Sequence, residues 1–166
     1  MKIRQLLSDV TLKLSISEID NAARDARILV AHALGIPISQ LSLNTNENVP
    51  EDISASLEKL ISRRINREPI AKILGKRQFW GRTFFISEDV LDPRGDTETL
   101  INYVKDRPVR SVLDLGTGSG VIAISLACEW KEVHVVATDI SEAALLVAQK
   151  NAKNFDVEDK IDFLKS

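Results

Sequence analysis

The chain has 166 residues, enough for one ordinary domain or two small ones. Hydrophobic residues make up 44%, the formal charge is −2 and the mean hydropathy is −0.05, a balance typical of globular chains that implies no polyelectrolyte partner. No apolar run approaches the ~20 residues of a membrane helix, Met1–Asp9 lacks a secretory apolar region, and Cys128, the one cysteine, has no disulfide partner, so the expected compartment is the cytoplasm.

Leu6, Leu7, Val10 and Leu14 stand at helical spacing, which predicts an amphipathic helix over residues 1–14. Ser15-Ile-Ser-Glu18 has the form of a capping box, so a second helix is expected from there to about Leu34. Ile19, Ala22, Ala23, Ala26, Val30 and Ala33 mark its packed face, and Gly35 followed by Pro37 stops it. His32 has no nearby partner ligand and reads as a structural histidine. Pro50 opens a third helix with an inner stripe of Ile53, Leu57, Leu60, Ile61 and Ile65. These helices form a small bundle that carries no catalytic constellation; binding is its expected task.

Between Arg63 and Arg82 the bases Arg63, Arg64, Arg67, Lys72, Lys76, Arg77 and Arg82 face one acid, Glu68. A solvated face is the plainer reading, and a surface for an acidic protein or RNA the sharper one. Ile70–Ser87 reads as a β-hairpin, with Ile73-Leu74 and Phe84-Phe85-Ile86 in its strands and a turn at Gly75-Lys76. Asp92–Glu98 is a loop, and Asp96 or Thr97 caps a helix over about Thr97–Lys105.

The chemistry concentrates in Val112-Leu-Asp-Leu-Gly-Thr-Gly-Ser-Gly120. An apolar run ends in three glycines and leads at once into Val121–Ala127, the pattern of a buried strand, a tight turn and a buried helix. Without side chains at Gly116, Gly118 and Gly120, a ligand can approach main-chain N–H groups. The next apolar run ends in Asp139, about 20 residues on, where an acid at a strand end can grip ribose hydroxyls. Ser141 then caps a helix over Glu142–Asn154, and a further strand begins at Ile161. Strand and helix alternate from Val112 onward, so the fold class is α/β with a parallel, helix-wound sheet. His134, within a buried strand, reads as a core histidine, and Cys128 as a packing residue.

Three readings of the glycine turn compete. A P-loop requires Lys after its last glycine, and Val121 follows Gly120. Gly118-Ser-Gly120-Val-Ile-Ala123 satisfies the dinucleotide pattern, which alone is weak. Asp114, two residues before Gly116, would repel a pyrophosphate but suits the cationic methionine end of S-adenosylmethionine. The acid favours that cofactor over NAD.

Asp114-Leu-Gly-Thr-Gly-Ser-Gly120 resembles motif I of class I S-adenosylmethionine-dependent methyltransferases. Glu68-Pro-Ile-Ala-Lys-Ile-Leu-Gly75, Phe79-Trp80-Gly81 and Pro93-Arg94-Gly-Asp-Thr-Glu98, behind a helical N-terminal region, resemble the HemK/PrmC glutamine methyltransferases of peptide-chain release factors. The resemblance runs through essentially the whole chain. It implies methylation of the side-chain amide nitrogen of glutamine in the Gly-Gly-Gln motif of release factors, with S-adenosylmethionine as donor and a release factor as protein partner. It implies a cofactor site of Gly116, Thr117, Gly118, Ser119, Gly120 and Asp139, and no metal. It also implies a helical substrate-recognition domain over 1–68, a β-hairpin linker over 69–90 and the first part of a Rossmann-like methyltransferase domain over 91–166.

Two positions depart from the family loop: Gly95 replaces its second proline, and Asp92 stands where an apolar residue usually precedes Pro93. The family's Asn-Pro-Pro-Tyr motif, which holds the target amide, does not occur in these residues. A shortened chain lacking the acceptor site is therefore expected, and no catalytic residue is assigned. A nucleic-acid methyltransferase of related fold and a non-catalytic binding module are the alternatives.

Overall fold

The computed structural model describes residues 1–50 and 52–166, which divide into two compact units, Met1–Leu74 and Gly75–Ser166. The first is helical: α1 (Ile3–Ile16), α2 (Ala22–Ala33), the short α3 (Ile38–Leu41), α4 (Ile53–Ile65) and α5 (Ile70–Leu74). Ile3, Val10, Leu14, Ala26, Leu29, Val30, Leu41, Leu57 and Ile61 close its core. The first N–H groups of α1 have no partner within the helix. Two are supplied from outside it: Ile3 N donates to the carbonyl of Glu47 at 3.0 Å and Arg4 N to that of Thr45 at 3.0 Å.

The capping box expected at Ser15–Glu18 is not formed. Those residues end α1 instead. Glu18 turns left-handed (φ 54°), Ile19 N reaches back to the Leu14 carbonyl at 3.0 Å, and the Ser17 hydroxyl donates to the Lys13 carbonyl. This is a Schellman closure with a buried apolar residue just beyond it, and α2 begins only at Ala22. Gly35 ends α2 in the same way, as the sequence predicts: it is left-handed, and Ile36 N donates to the Ala31 carbonyl. Ala23, expected on the packed face of α2, is exposed, and Asp25 is buried in its place. The third helix is described from Ile53; of its expected start at Pro50, Glu51 lies outside the described residues.

Ile73-Leu74 is helix, not strand. Pro69 opens α5, its carbonyl accepting from Lys72 N and Ile73 N at 3.0 Å each. A short, largely apolar segment such as Ile70-Ala-Lys-Ile-Leu74 fits either state, and proline's fixed φ selects the helical turn. Gly75 (φ 68°) then separates α5 from the hairpin rather than turning it. The hairpin is shorter than the expected 69–90 span: β1 (Lys76–Phe79) pairs antiparallel with β2 (Arg82–Phe85), with Phe79 opposite Arg82. Trp80 (φ 50°) and Gly81 (φ 69°) make the two-residue turn, both in the left-handed region that such tight hairpins require.

In the second unit, α6 (Thr97–Val104) precedes a parallel sheet of β3 (Ser111–Leu115), β4 (His134–Asp139) and β5 (Ile161–Lys165), in that spatial order. Helices α7 (Val121–Glu129) and α8 (Glu142–Asn154) connect them and pack on one face of the sheet. Helix α7 is apolar almost all round because the sheet, α6 and α8 surround it. Phe79, Phe84 and Ile86 of the hairpin region lie in the same core as Ile124, Val135 and Ala137. Phe84 meets Phe79 edge-on and Phe155 at 4.9 Å between ring centres. Such a ring contributes about 2–3 kcal/mol by leaving water.

The opposite sheet face carries Leu113, Leu115 and Leu164, all exposed. His134 stands on that face and is not a core residue: it is exposed, with Nε2 3.1 Å from an Asp162 carboxylate oxygen. Helices α7 and α8 pack on the other face, so at the position of His134 this face meets solvent.

Candidate functional site

The glycine turn lies at the C-terminal end of β3, where open parallel sheets place their ligands. Gly116, Gly118 and Gly120 all have positive φ, at 72°, 55° and 80°. Beside Gly116 and Gly118 the space a Cβ would fill is open, with no heavy atom within 4 Å. Gly120 differs: a Cβ there would lie 2.8 Å from Ile124 Cδ1 and 3.1 Å from Ala148 Cβ. Two glycines therefore keep a cradle clear, and the third lets α7 start against α8.

Hydrogen bonds fasten the turn at three levels. The N–H groups of Gly116 and Thr117 both donate to the Thr138 carbonyl at 2.8 Å, tying the turn to β4. Thr117 Oγ1 donates to Asp114 Oδ2 at 2.7 Å. Gly118 N donates to Asp139 Oδ2 at 2.9 Å, and Asp139 Oδ1 accepts from Ser141 N at 2.9 Å. Asp139 is thus a brace for the turn and for the start of α8 before it meets any ligand. Each carboxylate oxygen retains a further lone pair for a hydroxyl donor.

The structure gathers all six expected site residues around this turn, with different exposures. Thr117 and Ser119 are buried, while Gly118 and Asp139 are half-buried. Asp114, which the sequence singled out by charge, lies at the same place. Burial pushes its carboxyl above the usual carboxylate range, an effect opposed by the Thr117 hydroxyl and the Ala123 N–H and reinforced by the charge of Asp139. Asp114 and Asp139 thus place two carboxylates in one partly desolvated turn.

Other motif residues take structural work. Glu98 Oε1 accepts from Trp80 N at 2.8 Å, so the Phe-Trp-Gly turn and the Pro-Arg-Gly-Asp-Thr-Glu loop meet. The Trp80 indole N–H donates to Glu129 Oε1 at 2.9 Å, and Arg82 donates to the same oxygen at 3.1 Å. Arg94 is exposed, and its carbonyl accepts from Thr97 N. The departure at Asp92 has a partner in Arg77, 3.6 Å away. Cys128 is half-buried against the core, and burial raises its thiol pKa, so it stays protonated.

Part of the basic run is paired within the fold. Arg63 holds Glu68, Arg64 holds Asp25, Arg67 donates to the Glu18 carbonyl, and Arg82 holds Glu129. Arg64 and Arg82 are substantially withdrawn from solvent by their pairs, while Arg63 and Arg67 remain exposed. No helix among the described residues is long and apolar enough to cross a membrane.

Residues 5–75 match the PrmC N-terminal domain, and residues 78–166 match the methyltransferase small domain. The chain belongs to the methyltransferase small domain family. In it, the PrmC-type helical domain and the methyltransferase small domain stand in the order that the sequence motifs predict. The chain is 41% identical over 162 residues to a release factor glutamine methyltransferase of Cereibacter sphaeroides, an alignment covering 98% of this chain and 58% of that protein. It is 40% identical over 141 residues to a release factor glutamine methyltransferase of Neisseria gonorrhoeae, covering 84% of this chain and 51% of that one. A bifunctional methyltransferase of Rickettsia conorii is 37% identical over 192 residues, covering 99% of this chain and 37% of its own length. The chain thus spans less than two thirds of these relatives.

Three residues of the site escaped sequence reasoning. Thr138 contributes a carbonyl, Ser141 an N–H, and Asn151 a side chain from a helix more than thirty residues downstream. Backbone partners leave no trace in residue type. Asn151 had one faint signal, a polar residue between the inward positions Ala148 and Ala152 of α8.

Proposed function

We propose that this chain binds S-adenosylmethionine at the glycine turn and serves the cytoplasmic methylation of release-factor glutamine at its side-chain amide. The observation that carries the cofactor reading is the open cradle at Gly116 and Gly118 set between Asp114 and Asp139. When bound, the cofactor supplies a methyl group on a sulfonium cation. Asp114 meets its cationic methionine end, and Thr117 holds the Asp114 carboxylate in place. Asp139 accepts from the ribose hydroxyls with the lone pairs left free by Gly118 and Ser141. Gly116, Gly118 and the buried Thr117 and Ser119 shape the main chain around it. An amide nitrogen is a weak nucleophile, so positioning of the acceptor dominates the reaction.

The PrmC-type helical domain supports a release factor as the acceptor, and it supplies the docking surface in this reading. The pairing of Arg63, Arg64 and Arg82 with Glu68, Asp25 and Glu129 weakens the support for RNA. Titration calorimetry with S-adenosylhomocysteine tests the cofactor: binding is expected, with no heat from NADH. NADH binding in its place overturns the reading. A release factor carrying Gly-Gly-Gln should bind the chain and tRNA should not; the reverse result overturns the acceptor assignment.

Asp114→Asn separates cofactor binding from stability. The folded state raises the Asp114 pKa, so between the ordinary carboxylate range and the raised value it holds a proton that the unfolded chain has lost. Stability therefore falls as pH rises through that window, and above it the ionised carboxyl is a standing cost. The amide removes that cost. Thermal unfolding at neutral pH should show an equal or higher midpoint, while affinity for S-adenosylhomocysteine drops at least tenfold. Unchanged affinity excludes Asp114 from the site.

A further inference from the structure

Asn151 is 1% exposed and lies on α8, 32 positions along the chain from Ser119 of the glycine turn. Its amide is fully engaged. Oδ1 accepts from Phe85 N at 2.8 Å, and Nδ2 donates to the Phe85 carbonyl at 3.0 Å and to the Ser119 carbonyl at 2.9 Å. Two acceptors and one donor face it, so only an uncharged amide satisfies the set: a carboxylate would confront two carbonyls, and an apolar side chain would leave the buried Ser119 carbonyl and the part-buried Phe85 N–H and carbonyl without this partner. One turn earlier on the same face, Ala148 is the small residue that leaves room for Gly120.

We propose that Asn151 is a positioning residue for the cofactor turn: it fixes the Ser119 carbonyl, and with it the path between the left-handed Gly118 and Gly120, and it makes that path depend on β2 being docked. This inference rests on the reading of the turn as the cofactor site. The bond to Ser119 fixes the peptide between Ser119 and Gly120, which carries the last main-chain N–H before α7. The paired bonds to Phe85 hold the amide plane in the one orientation that aims its second N–H at Ser119. Hairpin, helix and turn are thereby set by one side chain. The Phe85–Asn151 pair resembles a strand pairing with a side chain in place of the second backbone.

The test uses the full chain with S-adenosylhomocysteine as probe. In the 15N-labelled protein the Asn151 side-chain amide resonances should move on saturation, together with the Ser119 and Gly120 amides. Asn151→Asp should weaken binding at least tenfold at a temperature where circular dichroism shows it folded. Lys160→Met is the control for general destabilisation. Lys160 Nζ donates to the carbonyls of Ala127 and Trp130 at the end of α7, remote in the network from the turn, so its loss should lower the melting midpoint and leave affinity unchanged within twofold. If Asn151→Asp does not fold, the resonance measurement on the unaltered chain decides. Side-chain resonances unmoved at saturation, or a folded Asn151→Asp chain with unaltered affinity, overturn the proposal. Absence of binding by the unaltered chain overturns the cofactor reading itself.

Discussion

Gly120→Ala should abolish binding of S-adenosylhomocysteine and lower the stability of the second unit by about 3 kcal/mol, the sum of two separable effects. The left-handed φ of 80° costs an L-residue about 1–2 kcal/mol. The added methyl then meets Ile124 Cδ1 at 2.8 Å and Ala148 at 3.1 Å. Ile124 is fully buried, and Ala148 belongs to a helix held against the sheet, so neither yields without disturbing the core. Overpacking of this kind costs about 1–3 kcal/mol. Gly118→Ala provides the contrast. Its φ is also left-handed, but the space beside it is open, so about 1 kcal/mol of strain is expected. Its methyl group would occupy the cradle, and affinity should fall at least tenfold while the protein stays folded. Thermal unfolding paired with calorimetry distinguishes the two. Equal stability losses for both would mean that Gly120 is not packed as described, and retained affinity in Gly118→Ala would place the ligand elsewhere.

Arg64→Ala should destabilise the helical unit by about 3–5 kcal/mol, the range observed when one partner of a buried ion pair is removed. Arg64 Nε lies 2.7 Å from Asp25 Oδ2, with the two side chains 17% and 8% exposed, and the guanidinium also donates to the Glu68 carbonyl at 3.1 Å. The pair joins α2 to the last turn of α4. Truncation leaves the desolvated Asp25 side chain without its counter-charge. Replacing both partners by apolar residues, as in D25L/R64M, should recover most of the loss, because the cost lies in the orphaned charge more than in the missing attraction. Urea unfolding followed at helical wavelengths measures both variants. A double variant as unstable as Arg64→Ala would show that the guanidinium acts through Glu68 and α4 rather than through Asp25. By contrast, Lys13→Ala, which breaks the exposed pair with Glu58, should cost less than about 1 kcal/mol.

The helical spacing of Leu6, Val10 and Leu14 and the stripe of Ile53, Leu57 and Ile61 each found their buried face. Ser141 caps α8 as its position predicts, its hydroxyl oxygen accepting from Ala144 N at 3.2 Å. These features are local: periodicity and capping chemistry act within one or two turns, so the residues themselves carry the information. The failures were also local in appearance and tertiary in cause. Ser15–Glu18 has the letters of a helix start, but Ile19 has a place in the core that closes α1 with a left-handed Glu18. Ile73-Leu74 has strand composition, and the proline before Ile70 sets a helical turn instead. His134 follows strand alternation, yet the sheet face it belongs to is uncovered.

For the site, the sequence determined the parts and their chemical kind. Three glycines after an apolar strand, an acid two residues before them and another about twenty residues later are the parts on which the proposed nucleoside-cofactor turn rests. Residue type and spacing suffice for that, because strand, turn and helix follow one another along the chain. Only the tertiary structure decided how the turn is held. Asp139 reaches Gly118 across 21 positions, Asn151 reaches Ser119 across 32, and the basic run turns inward to partners as far away as Glu129 and Asp25. Long-range hydrogen bonds to backbone atoms have no residue signature, and whether a charge is spent inside the fold depends on which helix the chain folds against it.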